Sequence, residues 1–128
     1  MKKTIPEYII DGSISVDSLE AFARILKEFP GRPELVRMHA DRLAAEHFQA
    51  AAIQQYEEAA RLFLEAGRLL QAWVAKNLQW QLQRPSHDQW IEFQHALEST
   101  PHNGAPVDGF LQNLKPIERI AVVARSRR

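Results

Sequence analysis

Between Pro33 and Gln83 the sequence carries three helical apolar patterns in succession with almost no linking chain between them. The first places Val36, His39, Ala40, Leu43 and Ala44 on one face and ends near Glu46. The second, from Gln49 to Glu65, places Ala52, Ile53, Tyr56, Ala59, Ala60 and Phe63 at helical spacing. The third, from about 68 to 83, carries Leu69, Leu70, Trp73, Val74, Leu78 and Trp80 on more than one side. Each amphipathic helix must bury its apolar face against something, and a two- or three-residue join leaves only the preceding helix, run in the opposite direction. A continuous rod over 57–80 is the alternative, but it would leave two long apolar stripes uncovered. A break at Ala66-Gly67 is therefore expected.

The flanks extend the pattern. Leu19, Phe22, Ala23, Leu26 and Phe29 predict a helix over about 16–29, stopped by Pro30-Gly31, and Pro33 with Glu34 suits the first turn of the next one. Pro85-Ser86 interrupts the run again, and Trp90, Phe93 and Leu97 align on a further helix. Residues 1–15 read as an N-terminal extension in which Tyr8, Ile9 and Ile10 form a small apolar patch over one end of the core. A helical domain over 16–98 follows, then a linker at 99–109, rich in proline, glycine and small polar residues. Phe110, Leu111, Leu114, Ile117, Ile120, Ala121 and Ala124 predict a C-terminal docking helix over 110–128.

At 128 residues the chain has room for one hydrophobic core, and its 45% hydrophobic and 25% charged residues suit a compact soluble domain. Basic and acidic residues number 16 each, so net charge supplies no attraction to nucleic acid or an anionic membrane. The absence of cysteine removes disulfides, thiolate zinc sites and cysteine nucleophiles. MKKTIPEYII soon meets Pro6, Glu7 and Asp11, too early for a signal-peptide core or a membrane span. The expectation is a cytoplasmic protein with no membrane partner.

Ala40, Ala52 and Ala59 stand among Val36, Leu43 and Tyr56 so that small side chains admit close helix approach while large ones fill the remaining space. In this alternation the chain resembles the tetratricopeptide repeat family over about 33–83, with Gly67, Ala72 and Trp73 as a second, weaker match. His47 stands where that family has the glycine of the inter-helix turn, and His39 where it favours leucine. The resemblance implies an all-α, right-handed antiparallel helical-repeat array. PELVRMHADRLAAEHFQAAAIQQYEEAARLFLEAGRLLQAW is also similar to the helical region that precedes a cyclic-nucleotide-binding domain in some bacterial regulatory proteins. VDGFLQNLKPIERIAVVARSRR looks like the helical lead-in of such a domain, through Phe110, Leu114, Pro116 and Ile120. These 128 residues contain neither the β-roll nor the phosphate-binding cassette of that family, so the resemblance implies a regulatory ancestry or a truncated architecture, with no cyclic nucleotide expected on these residues.

Chemistry-bearing fragments are sparse. Glu92 and His95 lie three apart on one predicted helical face, but a di-iron bundle needs a second such pair, which the sequence lacks. Glu46-His47 is not the two-histidine metalloprotease arrangement, and His39 and His47 fit an inter-helix surface. The serines stand at helix starts and flexible segments, and Ser86-His87-Asp88 reads as a turn and helix start rather than a relay. ARSRR carries arginines suited to phosphate but no aromatic interleaving, so nucleic acid is disfavoured. The expectation is a noncatalytic protein-protein interaction or adaptor module, without cofactor or metal. Tyr56, Trp73 and Trp80 are its apolar contact candidates, and Lys76 the candidate for an acidic group on the partner. The alternative is a homodimeric structural module, in which a second copy covers the broad apolar band of the 68–83 helix; a metal-binding enzyme, with Glu92 and His95 as its only cue, is the third and least favoured reading.

Overall fold

The computed structural model describes residues 4–100. Among these the chain is all-α, with helices α1 (Ile5–Ile10), α2 (Leu19–Glu28), α3 (Pro33–Ala45), α4 (Gln49–Glu65), α5 (Leu69–Leu82) and α6 (His87–Ser99) and no strand. The residues of the expected linker after 100, the docking helix at 110–128 and the nucleotide-domain lead-in lie outside the described residues.

Local chemistry sets most helix ends. The Ser18 hydroxyl accepts the Ala21 N–H at 3.1 Å to start α2. Ser86 and Gln89 form a reciprocal capping box at α6, with bonds of 3.1 and 2.8 Å. Pro33 opens α3, with acidic Glu34 in its first turn. Residues 1–15, expected as an extension, include the short helix α1, which packs on α3 and buries Pro6 and Ile9.

The tight turns after α3 and after α4 share one hydrogen-bond pattern. After α3, the N–H groups of His47 and Phe48 bond the carbonyls of Ala44 and Leu43; after α4, those of Gly67 and Arg68 bond the carbonyls of Leu64 and Phe63. Both are Schellman caps, which require a left-handed residue just past the helix. Gly67 takes that place at φ 72°, and His47 takes it at φ 68° despite its Cβ. The helix therefore breaks at Ala66-Gly67 as expected, and α4 runs antiparallel to both neighbours.

Ala40, Ala52, Ala59, Ala72 and Ala75 are all fully buried, and the backbones of α3, α4 and α5 approach closely along their lengths. Alanine at the contact lets ridges of one helix sink into the grooves of the next. The α6 helix is joined differently: it buries Trp90, Phe93 and Leu97, and these large side chains hold its backbone away from α5. Trp80 meets Trp90 and Phe93 edge to face, with ring centroids 6.2 and 5.6 Å apart, an arrangement worth roughly 0.5–1.5 kcal/mol per pair beyond the area buried. Polar ties fasten the periphery. Arg42 donates to the Val16 and Asp17 carbonyls at 3.1 and 2.7 Å, holding the segment before α2 against α3. Arg68 reaches Glu34 at 2.7 Å, tying the α4–α5 turn to the start of α3. No described helix is long and apolar enough to cross a membrane.

Candidate interaction groove on α4, α5 and α6

On α5, Lys76, Gln79 and Trp80 stand three and four residues apart and so share a face. Trp80 goes into the core, while Lys76 follows the same wall outward, half-buried, with its ammonium 5.6 Å from the Trp80 ring centroid and 5.9 Å from that of Phe93. Both rings attract a cation through their negative faces. Burial pushes the Lys76 pKa down, while Glu57 on α4 and Glu92 on α6 draw it back up without reversing the direction.

An open groove of about 340 Å³ lies here, lined by Gln54, Glu57, Arg61, Leu64, Lys76 and Phe93 among others. Arg61 is occupied at its rim by Glu58 and by Glu65, the latter at 2.7 Å. Gln79 is the one buried polar residue of the described core. Its Nε2 donates to the Glu57 carboxylate at 3.3 Å, and its Oε1 is buried without a hydrogen-bond partner.

The four residues expected as contacts do not form one surface. Only Lys76 lines the groove. Tyr56 is buried on the α3 side of α4, packed with Ala40, Leu43 and Ala52, and its hydroxyl donates to Asp41. Burial first, and that hydrogen bond second, raise the Tyr56 pKa well above the ordinary phenol value. Trp80 is 5% exposed and Trp73 is half-buried, packed against the same core as Trp80. Tyr56 and Trp80 are thus core residues in this structure, Tyr56 filling the space beside Ala40 and Ala52 and Trp80 packing edge to face with Trp90 and Phe93.

Sequence reasoning passed over Glu57, Gln79 and Phe93 as site residues. The available signal was spacing: Gln79 falls one turn after Lys76 on α5, and Glu57 lies one turn from Arg61 on α4. Which turn of α4 faces which turn of α5 depends on the join at 66–68.

A second cleft of about 560 Å³ lies between α1, the segment before α2, and α3, lined by Ile9, Ile14, Val16, Phe22, Met38 and Arg42 among others. Its guanidinium is already committed to backbone carbonyls and Glu46. His39 hydrogen-bonds Gln55 at 2.9 Å and lies 5.6 Å from the Phe22 ring, as an inter-helix residue. Glu92 and His95 are both exposed on α6, and among the described residues no group of three histidine or carboxylate side chains is placed to hold a metal ion. The Ser86 hydroxyl serves as the α6 cap. No protein-family model matches the chain, and neither the curated proteins nor the solved structures give a match.

Proposed function

We propose that this chain is a noncatalytic protein-recognition module, a tetratricopeptide-like helical array of the kind used by regulatory adaptors in the cytoplasm, receiving a peptide in the groove on α4, α5 and α6. The observation that supports this most is Lys76: an ammonium held over two aromatic rings at an open groove, beside a buried amide with an unfilled acceptor. Such grooves, apolar at the base with a few convergent polar groups, suit an extended or helical peptide segment. The test is selection from a displayed peptide library against the whole chain, with binders re-measured on Lys76→Met and Leu64→Glu. Binders that lose at least tenfold in affinity on both variants support the reading. A library that yields no binder, or binders indifferent to both changes, overturns it.

A homodimeric module is favoured by a different observation. Leu70 is 50% exposed on α5 and shares a helical face with half-buried Trp73 and Val74. Sedimentation over a hundredfold concentration range, repeated with Leu70→Glu, distinguishes the two. A concentration-dependent dimer abolished by the substitution supports self-association.

A further inference from the structure

The cleft between α1, the segment before α2, and α3 plays no part in the recognition reading and shares no lining residue with that groove. Ile9 and Phe22 are buried in its walls, and Ile14 lines it while 42% exposed. The Ile14 N–H bonds the Tyr8 carbonyl at 3.0 Å, so this exposed side chain is presented by hydrogen-bonded backbone. The charges at the cleft are one-sided. Asp17 and Asp41 line it, and Arg42, the one lining cation, is committed to the Val16 and Asp17 carbonyls and to Glu46. Asp41 accepts the Tyr56 hydroxyl and has Arg37 at 3.9 Å, yet stays half-exposed. Asp17 is exposed and has no ion pair within 4.0 Å among the described residues. From Thr4 to Ala23 the chain carries Glu7, Asp11, Asp17 and Glu20 and no basic residue, and Lys2 and Lys3 offset only half of that charge.

The complement stands at the other end of the sequence. Residues 110–128, outside the described residues, carry Lys115, Arg119, Arg125, Arg127 and Arg128 against Glu118 alone. Between those charges Ile117, Ile120, Ala121 and Ala124 recur at the spacing of one helical face. A net charge of zero therefore conceals an acidic beginning and a basic end. The spacer at 101–109 reaches roughly 30 Å when extended. That matches about three helix spacings of 8–10 Å, from α6 across α5 and α4 to α3. The apolar α5 face at Leu70 is a poorer host, because α5 contains no acidic residue and carries Lys76.

We infer that the chain's own segment 110–128 docks in this cleft, its apolar side chains against Ile14, Phe22 and Met38 and its basic residues over Asp17 and Asp41. The tether makes the encounter intramolecular, and a short flexible linker gives an effective concentration in roughly the millimolar range, so a modest contact suffices. Burial of Ile14 supplies the apolar part of that contact, and the one-sided charges set which segment fits.

The chain has no cysteine, so Asn113→Cys accepts a single nitroxide label on the segment. In nitrogen-15 NMR spectra of the labelled full chain, the backbone amides of Ile14, Val16, Met38 and Ala45 should lose more than half their intensity relative to the reduced label, while that of Leu70 keeps its own. Ile14→Glu, at an exposed position, and Ile120→Glu, on the segment itself, should each restore the cleft signals. Ile120→Glu keeps the test valid should Ile14→Glu disturb the fold, because it leaves α1 to α6 unaltered. Spin-labelled chain of natural isotope content, mixed with nitrogen-15 chain that carries no label, separates the two sources of the segment. Cleft signals that stay sharp in the mixture support docking within one chain, whereas broadening there assigns the segment to a second copy and overturns the inference. Broadening at Leu70 or in the α4–α6 groove in place of the cleft, no broadening anywhere in α1 to α3, or cleft broadening indifferent to both substitutions overturns it as well.

Discussion

Replacing His47 by glycine should stabilise the fold by about 1 kcal/mol, although the residue is exposed. His47 holds φ 68° because the Schellman cap after α3 demands it. In that region the Cβ of an L-residue crowds the following carbonyl, at a cost of roughly 1–2 kcal/mol. Glycine removes the crowding but gives the unfolded chain more freedom, which returns about 0.4–1 kcal/mol. The difference leaves a gain between about zero and about 1.6 kcal/mol, centred near 1. For a chain of this size that is a rise of roughly 2–5 °C in Tm.

The molecule holds its own control. The cap after α4 makes the same bonds with Gly67 at φ 72°, so Gly67→Ala should cost about 1 kcal/mol as the mirror of the gain at 47. His47→Ala keeps a Cβ and should therefore gain little. Urea unfolding followed by tryptophan fluorescence and by circular dichroism, with coincident transitions, gives the three values. Equal stabilisation by alanine and glycine at 47 would show that the imidazole, not the backbone, was the source. Destabilisation by glycine would refute the strain argument outright.

Four other substitutions test the packing and the charges. Ala59→Leu adds an isopropyl group to the Cβ where the α4 surface is fully buried and should lower the urea midpoint by an amount equal to about 1–3 kcal/mol, while Ala50→Leu, at an exposed position, should change it little. Tyr56→Phe removes a buried hydroxyl's bond to Asp41 and should cost about 1 kcal/mol at neutral pH. Because the folded-state phenol pKa is raised, the unfolded chain loses this proton first, so wild-type stability should fall as pH rises above about 10 and Tyr56→Phe should flatten that fall. At Glu34, burial pushes the carboxyl pKa up, but the hydrogen bond and charge of Arg68, with Glu34's own N–H and Arg32, outweigh it and hold the value below the ordinary carboxylate range. That contribution is present above pH 4.5 and lost as pH falls through the folded-state value, so Glu34→Gln should unfold less steeply in acid; the partly exposed pair is worth about 1 kcal/mol at most.

Helix positions were legible because they depend on neighbours in sequence. The apolar periods, Ser18, Pro33, Gly67 and Ser86 act within one or two turns, and the observed α3, α4 and α5 begin and end within a residue or so of where those signals place them. The short helix α1 was missed because it is too short to show a period, and only its packing on α3, with Ile9 buried, holds it as a helix. The tryptophans were ambiguous for a related reason. An apolar ring three or four residues from another marks a face, but whether that face is covered depends on a neighbour supplied by a distant part of the chain.

What the amino-acid sequence determined by itself is therefore the set of helices, the sharp reversals between them and the small residues that let α3, α4 and α5 approach, since these follow from local sterics and propensity. Only the tertiary structure decided that Trp80 completes the core against Trp90 and Phe93, and that Lys76 is turned onto those rings. It alone placed the buried amide of Gln79 against Glu57, 22 residues away in the chain. Those contacts join different helices, and their geometry follows from how the turns aim one helix at the next, a property no single stretch of sequence contains.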